Sequence, residues 1–345
     1  MNLPSTQPIP LLLGIPDDGM AKVGLDPARG MISVVLTGNA PFFTQVSKEV
    51  SGRLPIVYFG PGINPKATRA PRGAPLVNGI TEPDLCSVAL DAIAAMVDET
   101  GAHCFNPPRA VQASRRDEVS RRLAGIDGVL APRTIRVPAI AEPAELATAI
   151  ADAGLAWPVL VRVAGGHGNS PLRKVDDAAG LSAALRTLPW GGRDLYVSEY
   201  VDYRGADGLF RKLRLVVVGK DVFLRHHIAA EGWHVHAASR TSREELVERE
   251  LGEIANFERD LLPQLRDRVV AIGDVLGLDY FGIDAALLPD GRLLVFEANA
   301  AMNVLHDSNP HEPRWGQLIG RIRTALVNLL FTPKLWRAAR TDTSH

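Results

Sequence analysis

The sequence predicts a mixed α/β fold, α+β in its later parts: a small N-terminal parallel α/β unit followed by two α+β units. Three observations point there. Over the first 107 residues, strand-like apolar runs alternate with helical stretches. From roughly 109 to 190, a strand ending in a glycine-rich turn sits between helices. Beyond 190 the strands crowd together and end in a hairpin that carries two acids. The units are accordingly 1–107, 108–190 and 191–340, with the ends 1–8 and 341–345 polar and aperiodic.

Met31–Leu36 is an unbroken apolar run of the buried-strand type, and Gly38-Asn39 turns it toward a helix near Pro41–Val50. Leu54–Phe59 is a second strand. Thr81–Thr100 places Leu85, Val88, Ala89, Ile93 and Met96 at helical spacing. His103–Phe105 is a short strand that leaves through Asn106-Pro107-Pro108. Strands alternating with helices argue for a parallel sheet. A helix over Arg115–Leu123 follows, then a strand over Arg133–Val137 and a helix over Pro143–Ala153, stopped by Gly154. Next come the strand Pro158–Val163 and a helix over Asp176–Arg186. Strands over Leu195–Val201, Arg211–Val218 and Asp221–Ile228 lead to a long helical stretch, Ser242–Leu276. After the hairpin, helices over Gly316–Leu330 and Pro333–Arg340 close the chain.

Composition narrows the function. Lys+Arg 38 against Asp+Glu 39 leaves a net charge of −1, which gives no bulk attraction for nucleic acid. Cys86 and Cys104 have no CxxC spacing and read as reduced thiols of a cytoplasmic protein. Ile9–Ile15 is a short apolar run with no basic residue before it, and no stretch reaches about 18 apolar residues, so neither a signal peptide nor a membrane helix is expected.

The acidic hairpin, Asp279–Asn303, is the most informative stretch. Asp290-Gly291 is the two-residue loop favoured in a type I′ turn. That turn sets Pro289 opposite Arg292, Leu288 opposite Leu293 and Asp284 opposite Glu297. Opposed like charges repel, and Asn299 projects from the same face as Glu297. The other face is apolar: Ile283, Ala285 and Leu287 against Ala298, Phe296 and Leu294. Two carboxylates and a carboxamide on one face suit Mg²⁺ or Mn²⁺ shared with phosphate oxygens. A solvated strand end, or an arginine that neutralises the pair, is the alternative.

Four further patterns carry chemistry. Val159–Val163 bears one cation, Arg162, and runs into Gly165, Gly166 and Gly168, whose backbone N–H groups can approach a phosphate. Leu195–Val201 ends in Glu199-Tyr200-Val201, where a carboxylate acceptor and a backbone donor fit the edge of an adenine. Arg214 interrupts an apolar strand, and Arg225 and His227 share parity on the next; such arginines need anionic partners. His226, His227, His234 and His236 cluster, but no Cys or acid completes a zinc spacing.

Taken in order, these pieces resemble the ATP-grasp superfamily, in its branch with glutathione synthetase and the ribosomal-protein glutamate ligases. The resemblance runs from about Cys104 to Val304: Asn106-Pro107-Pro108, Arg115/Arg116, Arg162, Gly165–Gly168, Glu199-Tyr200-Val201, Arg214–Gly219, and Asp284 with Glu297-x-Asn299. It implies ATP as cosubstrate. Asp284, Glu297 and Asn299 would hold Mg²⁺ or Mn²⁺. Arg116, Arg162, Gly165, Gly166 and Gly168 would meet phosphates, and Glu199, Tyr200 and Val201 the adenine. Asp207, with Asp202 as second candidate, would meet the ribose. Arg116 and Arg162 stand where lysines are usual, and Ala300-Ala301-Met302 departs from the usual proline after E-x-N.

The implied activity is ATP-dependent joining of a carboxylate, on a small molecule or peptide, to an amine through an acylphosphate, with Arg214, Arg225 and His227 as the catalytic set. A kinase that stops at phosphoryl transfer, or a degenerate nucleotide-binding protein, are the competing readings. Neither nucleic acid nor membrane is an expected partner; the oligomeric state is not readable from the sequence, though a homodimer is common in the resembling group. Arg162, a cation in an apolar strand with no local acid, gives a test. Arg162→Lys is expected to keep much of the activity, and Arg162→Ala to raise the Michaelis constant for ATP sharply, as measured by ADP release.

Overall fold

A computed structural model describes residues 7–26, 30–41, 46–64, 70–166, 170–236, 243–307 and 312–337. The first sheet is four-stranded and parallel, in the order β4-β1-β5-β6. Its strands are β1 (Leu11–Gly14), β4 (Ile56–Phe59), β5 (Pro75–Asn78) and β6 (His103–Phe105). The apolar run at Ile9–Ile15 is thus an inner strand. β2 (Lys22–Asp26) and β3 (Met31–Val35) stand apart from this sheet as an antiparallel pair. The burial expected for Met31–Leu36 is not found: Ile32 is 70% exposed and Val34 65%. β-Branched residues favour extended backbone whether or not anything covers them.

The helices of this part are α1 (Lys48–Ser51) and α2 (Ser87–Thr100). Residues 42–45 of the helix expected near Pro41–Val50 lie outside the described set. α2 starts six residues later than the periodicity suggested. Pro83 disfavours helical backbone before it, and Asp17 caps the true start, accepting from Ser87 N at 2.9 Å and Val88 N at 3.1 Å. Thr81–Cys86 is therefore loop, which matters below.

α3 (Pro108–Gln112) and α4 (Arg116–Leu123) lead to β7 (Val129–Leu130). The second sheet is antiparallel, in the order β10-β9-β11-β8. It holds β8 (Thr134–Val137), β9 (Val159–Val163), β10 (Leu172–Val175) and β11 (Leu195–Glu199). β11, though past residue 190, pairs with β9 and not with the strands that follow it. Helices α5 (Pro143–Asp152) and α6 (Leu181–Leu185) supply Leu146, Ile150, Leu181 and Leu185 to its core.

The third sheet runs β13-β12-β14-β15-β7. Its long strands are β12 (Phe210–Val218), β13 (Asp221–Ala230), β14 (Tyr280–Leu287) and β15 (Leu293–Asn299). The stretch expected as one helix from Ser242, itself outside the described residues, is α7 (Glu244–Ala255), α8 (Phe257–Asp260) and α9 (Leu262–Leu276). α9 buries Leu262, Leu265, Val269, Ile272 and Leu276 on one face, each worth roughly 1.5–3 kcal/mol of burial. α10 (Pro313–Leu330) packs on β12 and β13, and a 3₁₀ turn at Pro333–Leu335 follows, with 338–340 outside the described residues.

Asn106 ties the first sheet to the third. Its φ of 47° is the left-handed conformation that asparagine tolerates. That turn aims Oδ1 at the N–H groups of Asp279 (2.8 Å) and Tyr280 (2.9 Å), while Nδ2 donates to Tyr280 O. Asp279, fully buried, accepts from Asn106 N–H at 2.7 Å. Asn106→Ala would orphan buried donors and is expected to cost about 3 kcal/mol in chemical denaturation. Burial pushes the Asp279 carboxyl up to about 6 from 3.8. The folded state therefore holds this proton more tightly than the unfolded chain. The group's contribution to stability is full below about pH 4 and lost as pH rises through about 6, which denaturation across that range will show.

Candidate functional site

A cavity of about 430 Å³ opens between the second and third sheets, with the start of α4 at its side. That is within the range of small-molecule sites. One row of paired residues crosses its floor. Arg214 of β12 pairs with His226 of β13 on one side and Asp284 of β14 on the other, and Asp284 pairs with Glu297 of β15. At strand spacing this row spans about 14 Å, and all four side chains line the cavity.

Two β-bulges make the row. Pairing slips between Arg214 and Leu215, so that Arg225 is the extra residue on β13. It slips again between Asp284 and Ala285, leaving Phe296 extra on β15. Bulges of this kind re-aim side chains beside functional sites. The turn differs from the type I′ loop expected. Leu287 faces Leu293, Leu288 N–H donates to Arg292 O, and only Gly291 has positive φ, 84°. Pro289 is the reason: it lacks an N–H and presets the second position of a type I turn, which Gly291 then closes. The expected register is thus one residue out at the loop. The β15 bulge brings Asp284 opposite Glu297 again and turns Phe296, expected on the apolar face, toward the cavity.

The two acids are clamped by cations. Asp284 accepts from Arg214 Nε at 2.6 Å, Arg214 Nη2 at 2.8 Å and Lys212 Nζ at 3.0 Å. Burial alone would raise its carboxyl, but Arg214 and Lys212 override that and hold it far below the usual range. Glu297 accepts from Arg116 Nη2 at 2.5 Å and Asn299 Nδ2 at 2.6 Å. Mutual repulsion of the acids is therefore relieved within the chain, as in the alternative weighed from the sequence. Arg162 differs: Nη2 donates to Gly166 O, Nε is buried without a partner, and it has no ion pair among the described residues. Burial first, then Arg116, lowers its guanidinium to about 10.

Glu199, Tyr200 and Val201 line the cavity's other end, where Lys174 Nζ sits 4.5 Å from the Tyr200 ring centroid. Gly165 and Gly166 border an adjoining cleft of about 10 Å³ with Glu82, Asp84 and Arg116. Gly168 lies outside the described residues.

Three expected residues are elsewhere. Arg225, the bulged residue, donates to Val304 O and His306 O. His227 bonds Glu253 of α7 at 2.7 Å. Asp207 pairs with Arg211 and does not line the cavity. Counting alternate residues missed the bulge, and with it His226. Lys212 could have been found by the same counting, two residues before Arg214 on one face. Glu82 and Asp84 were hidden by reading their loop as helix. Burial, then Asp84, pushes Glu82 up to about 7. Asp84 accepts from Tyr196 Oη at 2.8 Å and from Gly165 N–H at 3.3 Å.

Asp284, Glu297 and Asn299 offer oxygen donors on adjacent strands. Among the described residues no group of three or more His, Cys, Asp or Glu is placed to hold a metal ion. Two carboxylates without a full cage suit a hard cation that takes its other ligands from phosphates and water, so the residues fit Mg²⁺ brought with a triphosphate.

No family model matches the chain, and no curated protein sequence does. The chain is similar in structure to the VanG D-Ala:D-Ser ligase of Enterococcus faecalis, at TM-score 0.49 and 12% identity over 94% of this chain and 100% of that one. It is likewise similar to a D-alanine–D-alanine ligase of Bacillus anthracis (TM-score 0.48, 13% identity, 92% and 99% covered). A RimK domain ATP-grasp protein of Sphaerobacter thermophilus gives 0.46 and 15% identity, with 93% and 98% covered.

The Arg214–Asp284 pair can be tested alone. Arg214→Met leaves a buried carboxylate short of its main partner and is expected to cost about 3–5 kcal/mol. Arg214→Met with Asp284→Leu is expected to recover most of that, as measured by a double-mutant cycle in denaturant.

Proposed function

We propose that this chain is an ATP-dependent carboxylate–amine ligase of the ATP-grasp type, forming an amide through an acylphosphate. The observation that carries the reading is the charge pattern at the row of four. Arg116, Arg162, Lys212 and Arg214 face Asp284 and Glu297, leaving an excess of two positive charges, while Glu199 lies near Arg133 at the cavity's far end. A triphosphate carrying one divalent cation has a net charge of about −2, which complements that excess. The divalent ion, when bound, would offset charge on the transferring phosphoryl group.

In this reading the base lies between the sheets against Glu199, Tyr200 and Val201. Arg162 gains the anion that its buried Nε lacks, and backbone N–H groups at Gly165 and Gly166 meet phosphate oxygens. Lys212 and Arg214, now held by Asp284, would turn toward the new anion, and Asp284, Glu297 and Asn299 would be the residues that hold the cation. A carboxylate oxygen attacks the γ-phosphorus, and the bond to the β-phosphate oxygen breaks to release ADP. The amine then attacks the acyl carbon, phosphate leaves with its oxygen, and the nitrogen loses a proton. Arg214 stabilises negative charge in both steps. Among the described residues no helix is long and apolar enough to cross a membrane.

The test is incubation with Mg²⁺ and ATP against pooled amino acids, small carboxylates and amines, with ADP and phosphate both measured and products identified by mass. Equal release of ADP and phosphate with a new amide is expected. ADP with a phosphorylated product and no free phosphate would overturn the ligase reading in favour of a kinase. Glu297→Gln is expected to lower turnover roughly 100-fold or more.

A further inference from the structure

His226 is the member of the row that the reading above leaves without a task. It is 6% exposed, its Nε2 is buried with no hydrogen-bond partner, and it lines the large cavity. An unpaired imidazole nitrogen covered against solvent is costly, and a turn of the ring toward the cavity that it lines would let an entering group meet it. The surroundings decide which kind. Arg214 is its direct neighbour on β12, and Lys212 lies one alternate position along the same strand face. Neither can accept a hydrogen bond. Burial, then Arg214, holds the imidazole neutral. Asp284, to which both cations are bonded, offsets one of the two positive charges, and the one that remains favours donation from Nε2 of the neutral ring to an anion over contact with an ammonium group.

We propose that the His226 end of the row is an oxyanion subsite, in which His226 donates from Nε2, with Lys212 beside it, to the carboxylate of the acyl substrate. The anion preference follows from the side chains present; naming the anion as the acyl carboxylate rests on the ligase reading. The subsite sits on the outer strand β13, three strands from Glu297, so the acyl group and the cation-bound phosphates approach Arg214 from opposite sides. The amine then has to arrive from another wall of the cavity. The geometry thereby limits the donor to carboxylates that reach past Lys212.

The test uses acetate as the simplest carboxylate and n-propylammonium as the simplest amine. Histidine Cε1 is labelled with ¹³C, and the His226 signal is identified by its loss in His226→Gln. Acetate is expected to shift that signal saturably, and n-propylammonium to leave it in place. Followed on the His234 and His236 signals, acetate affinity is expected to fall roughly tenfold or more in His226→Phe and to stay within about threefold in His226→Gln, which keeps an N–H donor. Thermal unfolding checks that both variants fold; where one does not, the wild-type titration decides. An unmoved His226 signal, a response to n-propylammonium instead, or unchanged acetate affinity in His226→Phe would overturn the proposal. The titration is repeated with ADP and Mg²⁺. Failure of the wild type to bind ADP would count against the ligase reading and leave the acetate result to stand or fall alone.

Discussion

Asn106 is where the molecule is pinned together. Its backbone and side chain make four hydrogen bonds to Asp279 and Tyr280, and Asn78 Nδ2 donates to its carbonyl at 2.9 Å. β14 begins at Tyr280, so this one residue fixes where that strand starts relative to the first sheet. Everything on the cavity floor is counted from there. Asp284 lies four residues on, Arg214 is paired to it from one side and Glu297 from the other. A left-handed asparagine, costly by itself, is offset here by the three bonds its amide makes to Asp279 and Tyr280.

The floor itself is held in a charged state that can be rearranged. Buried ion pairs contribute little net stability, because desolvation offsets most of the Coulomb gain. Their value here is positional: Lys212 and Arg214 are kept inside the cavity, pointed at Asp284, without an external anion. Arg162 on the facing sheet has no such partner among the described residues. One wall thus stores its cations on an acid, and the other leaves one for the ligand.

Much of this was legible in the sequence, for identifiable reasons. Asp284, Glu297 and Asn299 stand out because acids are rare within apolar strands and a period of two assigns them to one face. Arg162 before Gly165-Gly166 and the turn at Glu199-Tyr200-Val201 are visible in the same way, and all line the cavity or its adjoining cleft. What stayed hidden depends on irregularity. A bulge leaves no mark on composition, so Arg225 and His227 were preferred to His226. Pro289 shifted the turn by one residue. Met31–Leu36 has the unbroken apolar run of a buried strand, although Val35 is 51% exposed. Glu82 and Asp84 needed knowledge of where α2 starts, which Asp17 sets from 70 residues away.

The two bulges give the cavity a property akin to a reading frame. A strand presents alternate residues, so one inserted or deleted residue exchanges every side chain between its faces beyond that point. Arg225 and Phe296 are each such an inserted residue, on strands of the same sheet with two others between them. Loss of either would leave composition almost untouched, yet it would swap the ligand-facing set on that strand for the core-facing one. Lengths of β13 and β15 are therefore as much a part of the site's specification as the side chains they carry. Relatives of this chain that differ by one residue there would present different chemistry from nearly the same letters.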